Sequence, residues 1–204
     1  MTSRALVAEV QLSDWRRRVA ELYARVRHEP DPVSAHALWR AERDRLFARH
    51  PQTPLLPDDP LRASGLPYWP YDPALRLEAA LVPAVEPVRR AVPSASDGEI
   101  LMRLAGRVGL DALGGELDVW WLEQYGGGLF LPVRDATAGG ASYGGGRYLL
   151  DTAKGADLGA TGDRLVLDLN FLYHPSCRYN PAWECPLAGP GNTTSVALQG
   201  GERL

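Results

Sequence analysis

A chain of 204 residues with a formal net charge of −3, 45% hydrophobic and 23% charged residues, has the composition of a soluble globule able to bury a core. Disorder throughout is excluded, and no run approaches the 18 apolar residues that a membrane-spanning helix needs. The charge balance leaves no basic footprint for nucleic acid, and glycine (21) and proline (17) are abundant enough to imply many turns and short strands.

From Leu12 the text LSDWRRRVAELYARVR places Trp15, Val19, Leu22, Tyr23 and Val26 on one face of a 3.6-residue period. This predicts a helix capped by Ser13, with Asp14 in its first turn, and stopped by the segment His28 to Pro32. A second helix is predicted over about 34–49, with Leu38, Trp39, Leu46 and Phe47 inward and a His50-Pro51 stop. Residues 1–50 are thus read as a helical arm, whose arginine excess is a solvated face, and His28, His36 and His50 are expected at the surface. The opening residues contain no apolar stretch followed by a small-residue cleavage site, which leads to the expectation of a cytosolic protein with reduced thiols.

Residues 51–73 contain seven prolines, which disfavour both helix and central strand. They also carry Leu55, Leu56, Leu61, Leu66, Tyr68, Trp69 and Tyr71, so the segment reads as an extended strap packed on the body. From Leu75 the period changes to two. Strands are predicted over about 75–82, 85–92, 99–105, 116–123, 128–133, 147–152, 164–171 and 195–199. Turn signals separate them at Asp97-Gly98, Leu113 to Glu116, Gly126 to Gly128 and Gly162-Asp163, with Gly114-Gly115 as a two-residue hairpin. Pro83, Pro87 and Pro132 belong at strand ends, edges or bulges. Connections this short leave no room for crossover helices, so residues 74–204 form a mostly antiparallel barrel or sandwich, and the fold class is α+β in one folding unit.

The densest polar text, residues 129–151, gathers Arg134, Asp135, Thr137, Ser142, Tyr143 and Arg147 around five glycines between 139 and 146. Glycine-loop amides can hold an anion, yet the run is neither a Walker A loop nor a dinucleotide fingerprint. It reads equally as a long hairpin loop pinned by an Arg–Asp pair and a stacked tyrosine. In RLVLDLNFLYHPSC, strand alternation sets Asp168 and Asn170 on one face, either lining a pocket or meeting water. His174, Cys177 and Cys185 are one ligand short of a closed zinc site, so no metal or cofactor is implied. The two cysteines remain open to three readings: inert thiols, a reversible disulfide, or a nucleophile paired with His174. Asn192-Thr193-Thr194 is a glycosylation sequon without a secretion signal to support its use, and Trp120-Trp121 read as core and rim.

The runs Leu129 to Thr137 and Tyr143 to Tyr148 resemble one chiefly bacterial family of uncharacterised proteins, DUF1684. So do Asp168 to Phe171, Pro175 to Cys177, Cys185-Pro186, Asn192 and Gly201-Glu202, as well as Trp15-Arg16 and the stretch from Trp39 to Pro51. The resemblance covers nearly the whole chain and implies that Arg134, Asp135, Thr137, Tyr143, Arg147, Asp168, Asn170, Cys177 and Cys185 form one assembly. This chain departs from the family text in having His174 for Asn and Gly191 for Glu.

Three functions follow as alternatives. In the first, a small polar or anionic molecule binds in a pocket. Arg134 and Arg147 grip it, Tyr143 stacks, Asp168 and Asn170 orient it, and Asp135 and Thr137 belong to the same loop. In the second, the chain is a hydrolase or thiol-dependent transferase with Cys177 or Cys185 as nucleophile. In the third, the polar groups only lock the fold and Trp69 with Tyr71 form a partner surface. Neither nucleic acid nor membrane is an expected partner, and the sequence leaves the oligomeric state open.

Overall fold

The computed structural model of the chain describes residues 3–94, 98–110 and 114–204. Helix α1 (Ser3–His28) starts well before Leu12, because the preceding residues are good helix formers even though they leave Leu6, Val7 and Val10 exposed. Ser13 is therefore inside the helix and caps nothing; its hydroxyl donates to the Glu9 carbonyl at 3.0 Å. Helix α2 (Pro32–Arg49) is capped by Asp31, whose carboxylate accepts from the Ser34 amide at 2.9 Å, with proline in the first turn. Its buried face is Ala35, His36, Trp39, Arg43, Leu46 and Phe47.

Two of the histidines expected at the surface are buried. His36 packs among the rings of Trp39, Tyr71 and Phe171, and His50 sits against Trp15 with Nε2 3.2 Å from Asp14. His28 is exposed. Among the prolines one helical turn does form, α3 (Leu61–Ser64), because Pro60 can start a turn and the next proline comes only at 67. Leu55, Leu66 and Tyr68 of this stretch are buried, and Arg62 donates to the carbonyls of Ala48, Leu55 and Leu56.

Eight antiparallel strands follow: β1 (Arg76–Pro83), β2 (Arg89–Ser94), β3 (Gly98–Leu110), β4 (Gly115–Leu122), β5 (Gly128–Val133), β6 (Arg147–Asp151), β7 (Ala160–Thr161) and β8 (Arg164–Asp168). Their order is β6-β5-β4-β3-β1-β8-β7, with β2 also on β3. Strand β1 is shared between two layers: residues 76–80 pair with β8 and residues 81–83 with β3. This makes an α+β fold with a sandwich-like sheet that does not close into a barrel. Closure fails because β8 ends at Asp168, whose carboxylate caps a 3-10 turn over Leu169–Phe171; beyond it, among the described residues, Tyr173 alone reaches β6, in a single bridge to Tyr148.

Pro83 ends β1, Pro87 lies between strands, and Pro132 sits at a register shift between β5 and β6. The β3–β4 connection is longer than two residues: Gly115 already pairs with Leu110 as strand, and of the two glycines Gly114 takes a positive φ, of 64°, and Gly115 does not. Asp97 and Leu113 of the turn signals lie outside the described residues. Residues 195–199, read as a strand, are irregular, and the two-residue β7 was not foreseen.

Alternation puts Leu117, Val119, Leu131, Val133 and Leu149 on the sheet face covered by the helices. Met102, Leu104, Trp120, Phe130 and Tyr148 pack on the other face. Trp120 is thus core and Trp121 rim. Trp39 of α2 is fully buried between Tyr68 of the strap and Phe171. Replacing Trp39 with Ala should cost about 3–5 kcal/mol, measured by urea unfolding. A loss near zero would mean that the helical arm is not part of the cooperative fold.

Candidate functional site

Arg147 at the start of β6 is completely buried. Its Nη2 donates to Asp135 Oδ2 at 2.7 Å and to the Leu198 carbonyl at 2.9 Å, and its Nη1 donates to the carbonyls of Gly200 and Glu202. The guanidinium also lies 5.0 Å from the centre of the Trp69 ring. Asp135 Oδ1 accepts from the amides of Thr137 and Leu198, and the Thr137 hydroxyl pairs with Ser142 at 2.8 Å. Burial alone would raise the Asp135 carboxyl, but Arg147 and the Thr137 hydrogen bonds outweigh it and hold it below the usual range. Every strong donor of this pair except Arg147 Nε is directed at the chain itself. The arrangement fastens residues 198–202 to the sheet.

A second buried centre surrounds Glu202, fully enclosed in the protein. Its carboxylate accepts from Arg43 Nη2 at 3.0 Å, from the His174 amide at 2.8 Å and from the Tyr179 hydroxyl. Arg43 lies about 5 Å from the rings of Trp39, Phe47 and Tyr173, and its Nε donates to Tyr68. Sequence reasoning did not single out this network. Its signal was a charged residue, Arg43, within the inward stripe of α2, which requires a buried acid opposite.

Asp168 and Asn170 are buried rather than facing water. Asp168 Oδ1 accepts from the Asn170 amide at 3.1 Å and side chain at 2.8 Å, and Oδ2 accepts from Tyr71 at 3.1 Å. Asn170 also exchanges hydrogen bonds with the Asp72 backbone, tying the strap down. Trp69 and Tyr71 therefore engage the body through Arg147 and Asp168. Burial raises the Asp168 carboxyl against the pull of these bonds. The carboxylate borders a cavity of about 250 Å³ whose wall includes Arg27, Glu29, Arg76, Thr161 and Phe171. Arg76 Nη1 stands 3.9 Å from Asp168 with its side chain partly exposed. A larger groove of about 960 Å³ runs between α1 and α2, but much of its charge is internally paired, Asp14 with Arg17 and Arg18, Glu42 with Arg25 and Arg45.

Tyr143, Cys177 and Cys185 form a further group. The Tyr143 hydroxyl is 3.8 Å from Cys177 Sγ, and both cysteines are free thiols. His174 is not paired with either: its Nε2 accepts from the Tyr143 amide at 3.2 Å, which places the neutral ring's proton on Nδ1, 3.8 Å from Glu202. An Asn oxygen could accept from that same amide. Arg134 is exposed and donates to the Gly144 carbonyl at 3.0 Å. The amides of Gly139, Gly140 and Gly146 bond to carbonyls of their own loop, so they are not free to cradle an anion. Asn192 is buried, accepting from Trp120 Nε1 and donating to the Asp118 carbonyl, which removes it as a glycosylation acceptor. At Gly191 a Cβ would lie 2.0 Å from Asp118 Oδ2, so the carboxylate of β4 stands where a side chain at 191 would begin. The nine residues that the resemblance grouped thus fall into three neighbourhoods and one surface arginine. Among the described residues no group of three His, Cys, Asp or Glu could hold a metal ion.

Arg147→Ala strands a buried carboxylate and should lower the unfolding free energy by about 3–5 kcal/mol; a loss under about 1 kcal/mol would contradict the fastening role. Burial draws His174 down to about 3 and His36 down to about 4, with nearby arginines adding to the effect in both. Both histidines stay neutral when folded but take up a proton near pH 6.5 when unfolded. Their stability contribution is full above about 6.5 and falls with pH, by at most about 1.4 kcal/mol per unit each. His174→Asn should therefore flatten the dependence of unfolding free energy on pH between about 6.5 and 5. An unchanged slope in urea titrations would show that His174 is protonated in the folded state.

No curated protein matches the chain. A solution NMR structure of an uncharacterised protein of Haloarcula marismortui is similar over 81% of this chain and 90% of its own, with 32% identity and a TM-score of 0.57. That similarity supports the fold and brings no activity with it. The family model described as protein of unknown function (DUF1684) matches residues 63–203, which span the strap's end, the whole sheet and all three polar neighbourhoods. This chain belongs to the DUF1684 family.

Proposed function

We propose that the protein binds a small polar molecule bearing a carboxylate and a cationic or hydroxyl group in the cavity beside Asp168. The observation carrying this reading is the pair Arg76 and Asp168: opposite charges that line one cavity and meet there in a loose ion pair at 3.9 Å. Arg76 offers a fork for a carboxylate, and Asp168 offers an acceptor for an ammonium or hydroxyl group. Asn170 and Tyr71 hold Asp168 from behind, so its orientation is set before a ligand arrives. Arg27 and Glu29 add one charge of each sign to the wall. The volume suits a metabolite of amino-acid size rather than a nucleotide. This site keeps Asp168 from the sequence reading but replaces Arg134 and Arg147 by Arg76. Two free thiols fit a reducing, cytosolic setting, which we propose along with it.

A panel of free amino acids, hydroxy acids and dicarboxylates, screened by thermal unfolding, tests the reading. A ligand at 100 times its Kd should stabilise the fold by about 2.7 kcal/mol. Arg76→Gln should abolish the shift while leaving the ligand-free melting temperature within a degree or two, since the side chain is partly exposed. A shift that survives Arg76→Gln, or no shift from any member of the panel, would contradict the assignment.

A further inference from the structure

Five arginines of the helical arm, Arg17, Arg18, Arg25, Arg45 and Arg49, line the groove of about 960 Å³ between α1 and α2. Three carboxylates share that wall, Asp14, Glu21 and Glu42, which leaves a formal excess of two positive charges. The ion pairs are shared rather than one to one. Glu42 Oε1 accepts from Arg25 at 2.9 Å and from Arg45 at 2.7 Å, and the Asp14 carboxylate serves Arg17, Arg18 and His50 together. Glu21 stands 4.0 Å from Arg17 Nε. Arg49 has no carboxylate partner among the described residues. Two of these contacts bridge the helices, Arg25 to Glu42 and His50 to Asp14. Between them α1 advances about 16 Å, at about 1.5 Å per residue. Along that stretch the groove presents Arg17, Arg18, Arg45 and Arg49 against Glu21 alone, among the described residues. Leu22 and Leu46, both buried, form an apolar floor there. A cationic rim over an apolar floor matches a solute with an anionic head and an apolar or planar body, and guanidinium forks suit phosphate oxygens. A second copy laid on this face would set the same charge excess against itself, which favours a small anion over self-association.

We propose that the groove between α1 and α2 binds an organic phosphate of mononucleotide size, its phosphates held by Arg18, Arg45 and Arg49 and its body laid on Leu22 and Leu46. Arg49 gives up no existing contact to take such a ligand. Arg18 and Arg45 pair with carboxylates that each keep a second arginine, Arg17 for Asp14 and Arg25 for Glu42, so turning toward a phosphate strands neither acid. The bridges at either end remain in place, and the helical hairpin keeps its shape on binding. These arginines are exposed, so their attraction for the phosphates is screened and weakens as salt is added. The ligand differs in charge and size from the one assigned to the cavity at Asp168, and the two sites share no residue. This inference is independent of that reading.

The test is calorimetric titration of the full chain at low ionic strength with ADP, pyrophosphate, adenosine and a short single-stranded oligonucleotide. ADP should bind more tightly than pyrophosphate, adenosine should give no measurable binding, and added salt should weaken ADP. Arg49→Gln should weaken ADP roughly tenfold. Arg16→Gln removes the same charge from an exposed position of α1 outside the groove and should change ADP binding less than about twofold. Arg76→Gln, at the other cavity, should leave ADP binding as it is. No binding of ADP, pyrophosphate binding as tightly as ADP, equal losses in Arg49→Gln and Arg16→Gln, loss in Arg76→Gln, or an oligonucleotide that binds more tightly than ADP would each overturn the proposal. The wild-type comparison of ADP, pyrophosphate and adenosine decides the matter even if a variant folds poorly.

Discussion

Two buried guanidinium groups, Arg43 and Arg147, hold one irregular stretch of chain, and the rest of the architecture depends on that grip. Residues 198–203 have almost no regular secondary structure of their own, yet Leu198, Gly201 and Glu202 are all buried. Their backbone groups are satisfied from four directions: Arg147 donates to three of their carbonyls, Leu172 accepts from the Glu202 amide, Gly201 accepts from Trp69, and Pro67 accepts from Arg203. The Glu202 carboxylate reaches the helical arm through Arg43 and the cysteine segment through Tyr179 and the His174 amide. Arm, strap, sheet and cysteine segment therefore meet at one residue.

This economy explains why polar groups crowd the interior of a small α+β domain. A strand in the place of 198–203 would satisfy its amides by pairing, but the adjoining segment after β8 turns at Asp168 and leaves no edge for it. Charged side chains supply the missing partners instead. Burying two ion pairs is costly in desolvation, and it becomes tolerable only because nearly every lone pair and N–H is engaged. The polar cluster that the sequence displays most openly is thus largely internal fastening, with Arg134 left at the surface.

Much of the fold was legible from pattern. The 3.6-residue period of Trp15 to Val26 and of α2, the period-two runs after Leu75 and the proline positions all express local sterics and one-sided burial, which a single chain records directly. Pairing at a distance was less legible. Asp168 and Asn170 looked like alternating strand residues, and only the capping geometry shows that the strand stops between them. An Arg–Asp pair pinning the loop was among the readings, without saying which arginine; Arg147 pairs with Asp135, and its other acceptors at 198, 200 and 202 are backbone carbonyls, which carry no residue signature. Arg76 was not singled out, since an arginine opening a strand is ordinary until a cavity is seen beside it. His36 and His50 were misplaced because histidine on a helix gives no sign of which aromatic rings will cover it.

Native-state hydrogen exchange at the amides of Trp69, Leu198 and Glu202 tests the central claim most directly. If residues 198–203 are held by Arg43 and Arg147 as described, these amides exchange only through global unfolding, as slowly as those of the core strands. Exchange of the three at rates typical of an exposed loop, while β3 and β4 stay protected, would show that the stretch peels away independently and would contradict the account.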